Sequence, residues 1–153
     1  MERTFANPSE FALFLERAAK YEKFADDGGR AQTAIFVTQA VKERIGDPEM
    51  LPPPLAESTV EDRGRQGFSA DETLLRTGEL RDSYHWEHVS ARKTRIGSDS
   101  NKALWHELGV DDAGRNHSTV IPGRYPLTRT ITENEEQAFE KYLEAFFSLF
   151  TPK

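Results

Sequence analysis

Cysteine is absent from the 153 residues. Its absence removes disulfide staples, thiolate nucleophiles and cysteine-based zinc sites at once. Folding in a reducing cytoplasm is compatible with that. No apolar run approaches the ~20 residues that span a bilayer. Met1-Glu2-Arg3-Thr4 leads into polar sequence without the apolar centre of a signal peptide. The expectation is an unexported chain, made in the cytoplasm, with no membrane partner. Also missing are a G-x-S-x-G elbow, a phosphate loop and a dinucleotide glycine fingerprint. Internal repeats and low-complexity tracts are missing too.

What remains is one domain's worth of chain, enough to bury roughly two-thirds of its unfolded surface without staples. Acidic residues outnumber basic ones, 26 to 20, for a formal charge of -6. A free-standing nucleic-acid binder usually carries the opposite sign. Hydrophobic residues make up 37% and charged ones 30%. That is lean for a self-sufficient core, and it suits a subunit that gains stability from neighbours.

Asn7-Pro8-Ser9-Glu10 reads as a helix start, with a cap, a proline at the first helical position and an acid three residues on. Phe11, Phe14, Leu15, Ala18 and Ala25 follow at helical spacing. Asp27-Gly28-Gly29 predicts a stop. A second helix is expected to Ile45, with Ala31, Ala34, Ile35, Thr38, Val41 and Ile45 on one face. Residues 46–70 lack periodicity, and Pro52-Pro53-Pro54 predicts an extended, polyproline-like stretch. Ser69-Ala70-Asp71-Glu72 has the form of a capping box for a short helix through Leu74, Leu75 and Leu80. Alternatively, Thr77 caps a fresh turn that begins at Gly78.

Alternation from Tyr84 to Val89 predicts a strand, and Lys93-Thr94-Arg95-Ile96 its hairpin partner, ended by Gly97-Ser98. A short helix is expected over 101–108 and stopped by Gly109. Residues 110–118 read as polar loop. A third strand is expected over 117–121, broken by Pro122-Gly123. Thr132-Glu133-Asn134-Glu135 caps the last helix, whose face is Phe139, Tyr142, Leu143, Phe146, Phe147 and Phe150. The fold class is therefore α+β: a small antiparallel β-sheet packed by N-terminal and C-terminal α-helices. Residues 1–153 form one domain, divided into two N-terminal helices over 8–45, a long loop over 46–70 and an α+β core over 71–150.

Chemistry finds little purchase. His85 and His88 lie three apart on a strand, which aims them at opposite faces and away from a common metal. His106 and Glu107 are adjacent on a helix, where neighbours diverge by about 100°. A small metal-dependent hydrolase built on His85, His88 or His106 is the weaker alternative. No catalytic, cofactor-binding or metal-ligating residue is assigned, no cofactor is expected, and the chain is read as not an enzyme. Arg92, Lys93 and Arg95, with Lys102 nearby, form a basic patch in an acidic chain. That patch is either a contact for phosphate or an acidic partner, or a solvated hairpin whose charges discourage edge pairing.

Four segments occur together in order. They are Pro54-Leu55 with Thr59 and Arg63; Leu75-Arg76-Thr77-Gly78-Glu79-Leu80-Arg81-Asp82-Ser83; Ile96-Gly97-Ser98 with Ala103 to Gly109; and Ile121-Pro122-Gly123-Arg124-Tyr125-Pro126-Leu127. Over roughly residues 50–150 the set resembles the tail-completion and virion-morphogenesis proteins of tailed phages, of the phage Mu and lambdoid neck type. Lys102-Ala103 stands where that family carries tyrosine-alanine, and Tyr125 separates Arg124 from Pro126. The fold-motif positions are Thr77, Gly78, Leu80, Gly97, Gly109, Pro122 and Arg124, and Leu80 and Tyr84 are expected to point into the core. Arg124 is expected to grip a carboxylate or helix C-terminal carbonyls.

The resemblance implies a virion structural protein of the neck or tail, made in the host cytoplasm. It would assemble as a homo-oligomeric ring, a hexamer, against the head–tail connector and tail tube proteins, with packaged DNA as a passing contact. A tail terminator or head-closure protein of a prophage or gene-transfer-agent-like particle is the alternative. Arg92, Lys93 and Arg95 are the candidate interface, together with the loop over 50–70, as contacts expected to order on assembly.

Overall fold

The computed structural model describes residues 4–113 and 119–149. The fold is α+β. Helix α1 spans Pro8–Arg44, α2 Glu57–Arg65, α3 Glu79–Asp82, α4 Asn101–Leu108, α5 Pro126–Glu133 and α6 Glu135–Ser148. Strands β1 (Tyr84–Ser90) and β2 (Lys93–Ser98) form one antiparallel pair, and β3 (Val110–Ala113) and β4 (Thr119–Ile121) form another. The small sheet expected from the sequence is thus two separate ribbons. Residues 110–113, expected as loop, supply the strand that pairs β4 away from the hairpin, with Val110 opposite Ile121. His117 and Ser118 lie outside the described residues.

Helix α1 begins as its sequence predicts. The Asn7 side chain accepts from the Glu10 N–H at 2.9 Å, and the Glu10 carboxylate accepts from the Ala6 N–H at 2.8 Å. It does not stop at Gly28-Gly29. Two glycines cost a helix roughly 2 kcal/mol against alanine, and tertiary contacts outweigh that cost. The Tyr142 ring of α6 packs where a Gly29 side chain would project. The Tyr142 hydroxyl donates to Asp26 at 2.9 Å, and Thr33 donates to the Ala138 carbonyl at 3.1 Å. Arg30 pairs with both Asp26 and Asp27 and donates to the Ala91 carbonyl at the hairpin tip, 2.7 Å away. Two helices were expected over 8–45, and one continuous rod of about 55 Å replaces them.

The core forms at the far end of that rod. Val41, Ile45, Leu51, Leu80, Tyr84 and Ala103 are buried together, with Leu74, Leu75 and Leu127 against them. Leu80 and Tyr84 sit inward as expected. On α1 the buried face runs through Ala34, Val37, Thr38 and Val41, while Ile35, expected on it, is exposed. Burial lifts the Tyr84 hydroxyl well above the ordinary tyrosine range, and the Glu107 carboxylate adds to the effect.

Three further departures lie in the rest of the chain. The loop expected over 46–70 contains α2, whose buried residue is Arg63. A helix anchored by a guanidinium shows no apolar periodicity. The capping box at Ser69 does not open a helix. Ser69 instead accepts from Asp71 N at 3.4 Å, and Leu74 takes a positive φ of 64°. The fresh turn near Thr77 is the arrangement observed, with Gly78 at the N-cap (φ 83°) and α3 following. Finally, Thr132 does not cap the last helix. It lies inside α5 and donates to the Thr128 carbonyl at 3.0 Å, and Asn134 joins α5 to α6. The expected polyproline stretch contains a cis Pro52–Pro53 bond.

Candidate assembly surfaces

Arg124 emerges from the Pro122-Gly123 break and is almost fully buried. Contrary to the expectation from the sequence, it grips neither a carboxylate nor a helix end among the described residues. Its Nη2 donates to the carbonyls of Pro53 at 3.0 Å and Pro54 at 3.4 Å. The end of α4 is held by backbone instead: the N–H groups of Arg124 and Tyr125 both donate to the His106 carbonyl, at 2.7 and 3.1 Å. Among the described residues, Arg124 is one of three buried arginines with the same task. Arg63 donates to the carbonyls of Ser69 at 3.1 Å and Glu72 at 2.6 Å. Arg44 donates to Met50 O at 3.1 Å and Thr130 Oγ1 at 2.9 Å, and pairs with Glu133. A planar fork suits this work, because one side chain satisfies several carbonyls of an irregular segment. Burial depresses the Arg63 and Arg124 guanidinium pKa values from their ordinary range.

Glu107 performs a role that sequence reasoning missed. Its two carboxylate oxygens accept from the N–H groups of Leu127 at 3.0 Å and Thr128 at 2.9 Å, capping α5 from α4. Only the bare start Tyr125-Pro126, without a local capping side chain, hinted at such a need. Tyr125 itself holds a left-handed conformation, φ 54° and ψ 48°.

Among the glycine motif positions, Gly78 and Gly109 have positive φ. Gly109 ends α4 with φ 81° and ψ 167°, a region open to glycine alone, and packs on Gly123 and Ile121. Gly97 differs from expectation. It lies within β2 opposite His85, and nothing stands within 4 Å of where its side chain would be. Pro122 is exposed. Glu79, beside Thr77 and Gly78, accepts from Lys102 at 2.8 Å, which holds its carboxyl below the usual range. Lys102 is therefore engaged away from the hairpin patch.

The expected interface, Arg92, Lys93 and Arg95, lies at the exposed β1–β2 turn. Arg95 faces Glu87 across the ladder and donates from Nε at 2.7 Å, so its charge is matched. Arg92 and Lys93 present theirs outward. The histidines do not converge. His85 lies near Ser83 and Asp99, while His88 bonds Thr94 at 3.2 Å and meets Trp86 edge-on. His106 is half-buried beside Arg124, and its imidazole is pushed down to about 4 by burial and that neighbouring charge. Among the described residues, its Nδ1 has no hydrogen-bond partner. No group of three potential metal ligands occurs among the described residues.

An open groove of about 530 Å³ runs between α1 and the hairpin, lined by Ile35, Ile45 and Trp86 but also by the charged Lys42, Glu43 and Arg81. Other surface features are apolar. On the first half of α1, residues 8–24, no described side chain is buried, and Phe11, Leu13, Leu15 and Phe24 are exposed, Phe24 at 65%. Along α6 the aromatic rings of Phe139, Tyr142 and Phe146 stack at 6.3 and 5.8 Å, yet no residue of the helix is buried. Phe150 lies outside the described residues. At the other end of the molecule, Leu104, Trp105, Leu108, Val120 and Tyr125 are exposed on α4, β4 and the start of α5. Monomeric proteins rarely leave surfaces of this kind uncovered. Among the described residues, no helix is long and apolar enough to cross a membrane. No family model, curated protein or solved structure matches this chain.

Proposed function

We propose that this protein is a structural subunit of a tailed-phage or phage-like particle, which assembles as a ring at the head–tail junction or tail end and completes the tail or joins it to the head. The resemblance of the ordered motifs to tail-completion proteins supplies the setting. The observation that carries the assembly itself is the placement of exposed apolar surface. It lies along the first half of α1, along α6 and, at the end of the molecule remote from the start of α1, on α4, β4 and the start of α5, on a scaffold whose irregular segments are clamped by Arg44, Arg63 and Arg124. Unlike surfaces at opposite ends favour head-to-tail contacts, and these close into rings when the rotation fits. The adjoining connector and tail tube proteins are the further partners of this reading, and the virion neck its location. The outward charges of Arg92 and Lys93 remain available to an acidic partner or to DNA phosphate in passing.

Mass photometry and electron microscopy of the purified full chain test the assembly. The expected result is a ring of one discrete size, a hexamer. A monomer at every concentration examined overturns it. Mass spectrometry of purified particles tests the setting. The chain is expected at a few copies per particle beside the connector, and its absence from intact particles rejects the neck role.

A further inference from the structure

We infer that the first half of α1 is an arm that docks on the α4–β4 end of a second copy of this chain, so that each subunit offers an arm to one neighbour and a seat to the other. This deepens the ring reading and rests on it.

The arm is rigid because α1 runs unbroken through Gly28-Gly29. Leu13 lies about 46 Å along the rod from Arg44, at 1.5 Å per residue. Arg44 bonds Thr130 of α5, and α5 carries α4 through Glu107. The seat is therefore at the end of the molecule remote from the arm, and a continuous rod cannot fold back onto it. Any copy that fills the seat must be another molecule.

The two surfaces suit one another. On the arm, Leu13, Arg17 and Phe24 lie at spacings of four and seven, one stripe of the helix. Glu16 flanks that stripe, Glu22 points to the opposite side, and Glu10 is occupied at the cap. On the seat, Gly109 packs against Gly123 and Ile121, which brings Leu108 at the end of α4 beside the segment carrying Val120 and Tyr125. Leu104 lies one turn before Leu108. Asp111, exposed on β3, adjoins this group and faces an arriving stripe with charge opposite to Arg17. The exposed parts of Leu13, Phe24 and the five seat side chains amount to roughly 700 Å² of apolar surface, the non-polar share of an interface at the small end of the standard range.

Head-to-tail docking makes a prediction that a two-fold contact does not. Phe24→Glu spoils the arm and leaves the seat intact, and Leu108→Asp does the reverse. Each variant alone is expected to be monomeric by mass photometry, with association weakened on the order of 30-fold or more. An equimolar mixture is expected to form one-to-one dimers and nothing larger, since only one good interface is available. Circular dichroism checks that each variant is folded. Leu13→Glu and Val120→Lys, also at exposed positions, provide an independent pair should either first variant fail that check. A Leu108→Asp protein that assembles like the wild type overturns the inference, as does a mixture that stays monomeric. Rings unaffected by any of the four substitutions reject the arm and leave the ring reading standing. A monomeric wild type removes both.

Discussion

The ring of Tyr142 occupies the space into which a side chain at Gly29 would project: a Cβ there would lie 2.6 Å from Tyr142 Cδ2. Its neighbour Gly28 has nothing within 4 Å of the same position. The two glycines therefore make opposite predictions. Gly28→Ala is expected to stabilise the protein by about 0.5–1 kcal/mol through helix propensity alone. Gly29→Ala gains the same propensity but forces α6 away, for a net loss of about 1–2 kcal/mol. Urea denaturation of both variants measures the contrast.

Arg124→Ala removes the donor that holds Pro53 and Pro54 and leaves a gap beside His106. The expected loss is about 2–4 kcal/mol. Limited proteolysis should show cleavage within residues 50–56 rising on the order of 10-fold, because the segment's own apolar anchor is Leu51. Unchanged cleavage would mean the arginine does not hold that segment.

Gly109 and Gly97 separate backbone need from mere presence. An added Cβ at Gly109 meets the Gly123 nitrogen at 2.9 Å and the Ile121 carbonyl at 3.0 Å, at a φ of 81°. Gly109→Ala is expected to cost about 2–4 kcal/mol. Gly97→Ala meets open space and should fall within about 1 kcal/mol of the wild type. Thermal melts of the pair decide this.

The stability contributed by His106 has a definite pH window. Its folded-state value near 4 lies below the ordinary 6.5, so the native state favours the neutral ring. That contribution is fully present above 6.5. As pH falls, the unfolded chain takes up the proton first, and stability is lost down to about 4. The loss is about 2 kcal/mol once partial exposure is allowed for. His106→Gln should flatten that part of the curve relative to the wild type, measured by urea midpoints from pH 7 to pH 4. Parallel curves would show that the ring is not held neutral.

Local chemistry was legible where an element's cause lies within a few residues of it. Asn7-Pro8 starts α1, the alternation from Tyr84 lies in β1 and pairs with β2, and Ser100 to Gly109 bounds α4. Leu80 and Tyr84 were recognisable as core because their spacing around α3 and β1 leaves one side to face inward. The candidate surfaces were harder to read. The apolar residues of α1 are visible in the sequence, but periodicity cannot tell a buried face from an uncovered one. Arg92 and Lys93 are exposed as a charged turn should be, while the pairing of Arg95 with Glu87 depends on strand register.

The sequence by itself determined where α1 and α4 start, the hairpin and its charged tip, and the absence of thiol chemistry, since each follows from residue type and near neighbours. Tertiary structure alone decided that α1 crosses Gly28-Gly29, that Arg63 anchors a helix, that Glu107 caps α5, and that Arg124 holds the proline segment. In each case the deciding partner stands at least six residues away, and for Gly29 more than a hundred. Its effect of one to a few kcal/mol is comparable to or larger than the propensity that a local pattern reads.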